Sequence, residues 1–378
     1  MRHRVALLIE TSNAYARGLL RGIYTYAREQ GSWATFLPEH SRGELSLDLL
    51  SRWRGDGIIA RIENQQIAEA VAKLKLPVVD VSATGALPGV PWVETHDESI
   101  AQLAIDHFRQ RGFRHFAFCG DDRFAWSRYR REGMQRLLEK SGIKCHTFGA
   151  ATARSLIEDE QRLAEWVVDL PKPIGILSCY DIRGRQLIEI CQRNQIAVPE
   201  QVAVLGVDND ELVCNLAEIP LSSVIPNSNG AGYLAAKLLS QMLAGHRVDS
   251  TAHLLKPLGI VTRQSSDSLA IDDGEVIRAM QFIREHACSG IKVEDLLRTT
   301  KLTRRVLESR FRKHLGHSPH DAIQNVRLRR AEELLTETDL PLATIADRCG
   351  FLHTEYFSVV FKRWKGITPS QFRQNHQA

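Results

Sequence analysis

The chain has 378 residues, too many for one ordinary domain and enough for two or three. Hydrophobic residues at 43% and charged residues at 25% place it among globular proteins and away from the disordered, collagenous and disulfide-scaffold classes. The net charge of +4 is unevenly held: of 49 Lys and Arg against 45 Asp and Glu, residues 275–378 carry 18 against 12, leaving 31 against 33 for the rest. A basic last quarter is a first pointer to nucleic acid.

Residues 5–9 form an apolar run stopped by Glu10, which reads as a buried strand and not as a signal peptide. The longest uncharged stretch, 219–236, holds two prolines, two asparagines and two glycines, so no membrane span is expected. Seven cysteines (Cys119, Cys145, Cys179, Cys191, Cys214, Cys288, Cys349) form an odd set without C-x-x-C spacing, most of them in apolar segments. That pattern predicts reduced core thiols in a cytoplasmic protein.

From residue 3 to about 262, short apolar runs alternate with amphipathic stretches. Residues 5–9, 57–60, 77–81, 115–119, 174–179 and 202–207 read as strands buried on both faces. Between them, 14–29, 67–74, 99–111, 129–141, 156–170, 182–194 and 230–243 carry helical periodicity. Strand and helix in alternation predict parallel sheets, and the break near 92–98 predicts two of them, hence two lobes with a ligand cleft between their strand carboxyl ends. Residues 263–274 are polar, small and strand-free, and read as a linker before a second domain over 275–378.

That second domain has only helical signals and repeats itself at an offset of fifty: Leu307 and Phe357, Phe311 and Phe361, Gly316 and Gly366, Pro319 and Pro369 coincide. Each copy reads as a short helix (293–299; 342–348), a turn at Lys301-Leu302 or Gly350-Phe351, and a second, basic helix (303–314; 353–365). This is the helix-turn-helix plan, twice, whose second helix enters the major groove. Ser318-Pro319 opens a connecting helix to residue 337, about 30 Å long at 1.5 Å per residue. Successive major grooves on one DNA face are about 34 Å apart, so such a connector suits two adjacent grooves.

With Leu307 and Phe311 inward, Arg304, Arg305, Glu308, Ser309 and Arg312 fall on the open side of the first recognition helix. Arginine can make a bidentate contact to guanine and glutamate can accept from cytosine N4, so Arg305 and Glu308 are the expected base readers, with Arg312 and Lys313 on phosphate. In the second, Phe357, Val360 and Phe361 face inward, leaving His353, Thr354, Glu355, Tyr356 and Val359 outward with Lys362, Arg363 and Lys365 behind.

The last hundred residues resemble the AraC-type DNA-binding domain, through Ile345-Ala346-x-x-x-Gly350-Phe351, then Tyr356-Phe357-x-x-x-Phe361-Lys362-x-x-x-Gly366-x-Thr368-Pro369-x-x-Phe372-Arg373. That resemblance implies binding to double-stranded promoter DNA and contact with RNA polymerase. The first 262 residues resemble the LacI-type, periplasmic-binding-protein-like fold, through Arg130-x-x-Gly133, Val204-Leu205-Gly206-Val207-Asp208-Asn209 and Pro220-Leu221-Ser222-Ser223-Val224. It implies sugar binding by Arg130 and Asp208, whose guanidinium and carboxylate supply charge-assisted bonds to vicinal hydroxyls. Trp126 lies one turn before Arg130, where it can pack on a sugar ring or fill the core. Asn13, Tyr15, Asp97, Tyr180 and Asp181 are further candidates at strand ends.

The whole chain resembles the family of bacterial xylose operon regulators, through Trp126-x-x-x-Arg130, Gly206-x-Asp208-Asn209-Asp210-Glu211-Leu212 and Met280-x-x-Ile283-Arg284-x-His286-Ala287-Cys288 among others. The architecture expected is an α/β two-lobed effector domain (1–262), a linker (263–274) and an all-α domain with two helix-turn-helix motifs (275–378). The function expected is D-xylose-responsive activation of transcription by a homodimer; the same architecture answering to another pentose or hexose, or repressing, is the alternative. No G-x-S-x-G, H-E-x-x-H, G-x-G-x-x-G or P-loop pattern is present, so neither an enzyme nor a cofactor or metal is expected. The absent signal peptide and the attached DNA-binding domain argue against a periplasmic transport receptor.

Overall fold

A computed structural model describes residues 2–30, 33–39, 50, 52–149 and 155–376. The chain divides into two units, Met1–Asp267 and Ser268–Ala378.

In the first unit the elements run β1 (His3–Leu8), α1 (Ala14–Gln30), β2 (Trp33–Phe36), β3 (Gly57–Ala60), α2 (Gln65–Lys73), β4 (Val78–Asp80), β5 (Trp92–Thr95), α3 (Asp97–Gln110), β6 (His115–Cys119), α4 (Ala125–Glu139), β7 (Cys145–Phe148) and α5 (Leu156–Asp169). They continue with β8 (Ile174–Ser178), α6 (Asp181–Arg193), β9 (Val202–Val207), α7 (Glu211–Leu216), β10 (Ser222–Ile225), α8 (Ser228–Leu243), β11 (Ala252–Leu255) and β12 (Gly259–Val261). Two six-stranded sheets result, in the orders β11-β5-β4-β3-β1-β2 and β12-β10-β9-β8-β6-β7. Every pair is parallel except β10 with β12. The order reverses beside β1 in the first sheet and beside β6 in the second, and a doubly wound sheet binds ligands at such a reversal, beyond the carboxyl ends.

Central strands are apolar on both faces because helices cover both. Val5, Leu7, Ile59 and Val79 pack toward α1 and α8, while Ala6, Leu8, Ile58 and Ala60 pack toward α2. Helices α1 and α8 approach very closely: a Cβ on Gly22 would stand 1.9 Å from the Asn229 carbonyl oxygen, and one on Gly232 2.0 Å from that of Leu19. Only glycine permits that contact. The chain passes from the first lobe to the second between β5 and α3, returns between β10 and α8, and passes again between β11 and β12.

The structure differs from the sequence expectation in three ways. It adds β2, β5, β7, β10, β11, β12 and α7, which are short and mostly half-exposed or polar. Helix α4 starts at Ala125, four residues before the expected 129, so Trp126 and Arg130 share one helix. The start of the expected linker is fastened down: Ser265 donates from its N–H to the Pro220 carbonyl (3.0 Å) and from its hydroxyl to that of Val204 (2.7 Å), and both Ser265 and Ser266 are buried.

The second unit contains α9 (Gly274–His286), α10 (Val293–Thr300), α11 (Arg304–Leu315), α12 (Pro319–Glu337), α13 (Leu342–Arg348), α14 (Thr354–Lys365) and α15 (Pro369–His376). The repeat has a stereochemical reason: α11 and α14 both end on a left-handed glycine, Gly316 (φ 77°) and Gly366 (φ 82°). Helix α12 is opened by a capping box, Ser318 with Asp321, and has proline at its first turn. Leu307 and Phe311 in α11, and Phe357 and Phe361 in α14, are fully buried.

Candidate ligand cleft and nucleic-acid interface

In the first unit, the ends of β6, β8 and β9, the first turn of α3 and the first two turns of α4 bring the strongest candidates together. Arg130, almost fully buried in α4, grips Asp97 at the start of α3 with Nε (3.0 Å) and Nη2 (2.9 Å), and donates to the carbonyl of Cys179. Its guanidinium lies 5.4 Å from the Trp126 ring centroid. Burial disfavours the charge, but the carboxylates of Asp97 and Asp208 hold it firmly protonated. Asp181, at the start of α6, accepts from Ser223 Oγ (2.5 Å) and from the backbone N–H of Asp210 (2.7 Å). Burial first, then the facing Asp208, push its carboxyl well above the usual range.

Asp208 sits at the end of β9 with φ 111°, followed by Asn209 at 47°. Positive φ in two consecutive non-glycine residues is costly and persists only where surrounding bonds hold it. Here the Asp208 N–H donates to Val224 O (3.1 Å) and the Asn209 N–H to Ser223 Oγ (3.0 Å), which aims the turn.

Trp126, for which the sequence leaves both sugar packing and core filling open, is mostly covered by other rings. It is 7% exposed, stacked on Phe124 (centroids 5.1 Å, 15° between planes) and edge-on to Tyr180 (5.8 Å). Phe124, less buried and unremarked in the sequence, is the more accessible ring of this aromatic group.

On the first lobe Asn13 caps α1, accepting from the Ala16 N–H (2.9 Å), and donates to Glu10 (2.8 Å). Tyr15 is buried and its hydroxyl donates to Glu94. Around them lies a cluster the sequence reading missed: Arg61, at the end of β3, pairs with Glu10 (2.5 Å) and Glu63 (2.6 Å) and faces the Tyr15 ring at 5.5 Å. Burial, then the negative Asp97, push Glu94 up to about 7. The missed signal was available: Glu10 and Arg61 each directly follow a buried apolar run, and Glu94 follows buried Val93. The two sets of carboxyl ends face each other, since Arg17 in α1 reaches Asp210 across them at 3.0 Å.

In the second unit, α11 exposes Arg304, Arg305, Ser309, Arg312 and Lys313, with Glu308 half-buried. Arg304 is engaged by Glu294 and Glu308, both at 3.1 Å. Among the described residues Arg305 makes no side-chain hydrogen bond, which leaves it available as a donor, whereas Glu308 already accepts from Arg304 through Oε1 and keeps Oε2 as an acceptor. Helix α14 exposes Glu355, Tyr356, Val359, Lys362 and Arg363, with His353 just before it and Thr354 half-buried at its start. Val359 at 66% and Tyr356 at 50% are large apolar surfaces on an otherwise polar helix, suited to thymine methyl groups. Among the described residues no three His, Cys, Asp or Glu side chains gather to hold a metal ion, and no helix is long and apolar enough to cross a membrane.

Comparison with known proteins adds the following. Residues 4–98 match the model of an XylR N-terminal domain, 105–266 that of a periplasmic binding protein-like domain, and 296–375 that of a helix-turn-helix domain. The xylose operon regulatory protein of Escherichia coli K12 is 33% identical over 98% of this chain and 97% of its own, and that of Haemophilus influenzae 32% over 99% and 98%. The solved structure of the xylose-binding transcription activator xylR superposes with a TM-score of 0.86 at 31% identity, covering 100% of this chain and 99% of that one.

Proposed function

The chain belongs to the family of xylose operon regulatory proteins, sugar-responsive regulators and not enzymes, and from that premise we propose that its effector is D-xylose and that it activates genes for xylose use. The observation that carries the reading is the fixed set of charged partners at the strand ends: Arg130 held by Asp97, with Asp208 and Asp181 opposite. A buried guanidinium among carboxylates offers both donors and acceptors to neighbouring hydroxyls without reorganising. Phe124 and Trp126 supply the apolar wall beside them. Asn13, Tyr15 and Tyr180 are further sugar contacts at the strand ends, with Asn13 fixed by Glu10 and Tyr15 by Glu94.

Sugar binds one arrangement of the lobes better than the other, and that preference is the free energy available to change how the C-terminal domains engage promoter DNA. Arg305, Glu308 and Ser309 in α11, and His353, Thr354, Glu355, Tyr356 and Val359 in α14, read bases. Arg304, Arg312, Lys313, Lys362 and Arg363 neutralise phosphates. The protein works in the cytoplasm as a homodimer joined through its effector lobes, where Leu212 and Leu216 on α7 stand 70% and 65% exposed, and it touches RNA polymerase at the promoter. Calorimetric titration with a panel of pentoses and hexoses tests the effector: D-xylose should bind at least about tenfold better than the others. A different sugar ranking first, or none binding, rejects this assignment.

A further inference from the structure

Arg327 lies in the middle of α12, the helix joining the two helix-turn-helix units, and is only 9% exposed. Its Nε donates to the carbonyl of Ala287 (2.8 Å) and its Nη2 to that of Ile291 (3.0 Å), the two ends of the turn that leads into α10. Its guanidinium carbon stands 5.9 Å from the ring of Phe351, in the turn of the second unit. The same two turns touch directly: a Cβ on Gly350, at φ 74°, would lie 2.8 Å from the Cys288 carbonyl oxygen and 3.0 Å from that of Ala287. The two DNA-reading units are therefore not independent ends of a rod. One planar cation clamps the entry to the first, the connector and the turn of the second, a geometry that a fixed five-donor fork holds and an ammonium does not.

We propose that Arg327 is a positioning residue that sets the relative placement of the two recognition helices, and so decides which spacing between two half-sites the protein accepts without itself reaching DNA. This rests on the DNA-binding reading above. One base pair inserted between half-sites turns the second by about 35°, which a clamped pair of helices tolerates poorly and an unclamped pair tolerates well.

The probe is the duplex that the full-length chain selects from a random library about three helical turns long, alongside the same duplex with one base pair inserted between its two contacted grooves. The wild-type chain should lose at least about tenfold in affinity on the insertion, and Arg327→Met less than about threefold, with sugar binding and helical content unchanged. A uniform loss on both duplexes, with the ratio at its wild-type value, overturns the proposal. Should Arg327→Met lose helical content, Arg327→Lys, which keeps the charge and the stem, is read by the same ratio and decides. A wild-type chain that selects no duplex sinks the DNA-binding reading itself, and a wild-type chain indifferent to the insertion sinks this inference alone.

Discussion

Arg130 does two things at once: it holds Asp97 and the Cys179 carbonyl in place, and it presents a charge that Asp208 and Asp97 balance. Losing a charged hydrogen-bond partner in a desolvated site costs roughly 1.5 to 3 kcal/mol, so Arg130→Ala and Asp208→Ala should each weaken sugar binding by about that amount in calorimetry. Arg130→Lys should restore little, since one ammonium does not reproduce two bonds to Asp97 and one to the carbonyl. Normal sugar affinity in both alanine variants would place the site elsewhere. Asp80 offers a separate test by pH. It is 1% exposed and accepts from the N–H groups of Ser82 (2.9 Å) and Ile62 (3.3 Å), yet burial outweighs those bonds and lifts its carboxyl to about 7. A folded-state pKa above the unfolded value means that the folded form binds the proton more tightly. The stability this gives is complete below about pH 4 and is lost as pH rises through about 7. Asp80→Asn has no proton to lose, so its melting temperature relative to wild type should climb between pH 5 and pH 8, by roughly 2 to 4 °C per kcal/mol for a unit of this size. A difference independent of pH would show that Asp80 is ionised throughout.

At the scale of elements, the strands that position the site were readable because both faces of each are covered, which forces uninterrupted apolar runs such as 202–207. Edge strands escape that rule: β2 and β11 carry only half-buried and exposed side chains, and their residues resemble any loop. Arg61, Glu94 and Glu10 escaped for a related reason, since each is a single charge ending an apolar run and their union depends on strand order, which sequence spacing does not contain. The helix-turn-helix units were fully legible because their constraints are local: buried Leu307 and Phe311 one turn apart, then a left-handed glycine. What periodicity did not reveal is which exposed residues are already engaged. Arg304 is tied to Glu294 and Glu308, leaving Arg305 as the arginine at the head of α11 that pairs with none of the described residues. Arg305→Ala should cost about 1 to 3 kcal/mol in DNA affinity and relax preference at one base position. Lys362→Ala, in the last turn of α14, should weaken all sequences alike and lower the salt slope by about one unit. Equal base discrimination before and after Arg305→Ala, in binding to randomised duplexes, would remove α11 from the reading role.

For the whole molecule, the question is how a small sugar changes the behaviour of a separate DNA-binding unit. Binding alone changes nothing in DNA affinity unless the sugar prefers one arrangement of the effector lobes, and the shift is bounded by that preference. The contacts at the strand ends are divided between lobes in a way that makes such a preference expected: Arg130, Asp97, Asp181 and Asp208 belong to the second lobe, Tyr15, Glu94 and Arg61 to the first, and Arg17 spans to Asp210. A ligand touching both sets favours the arrangement that brings them together. If that is the mechanism, operator affinity and sugar affinity are linked reciprocally: saturating sugar should tighten operator binding by the same factor by which operator tightens sugar binding. Asp208→Ala should then leave operator binding without sugar near wild type and abolish the sugar-dependent part, when both affinities are followed by fluorescence anisotropy and calorimetry on one preparation. Should operator affinity prove identical with and without sugar in the wild-type chain, while the sugar binds, the effector acts at a step after DNA binding, and the population-shift account is wrong.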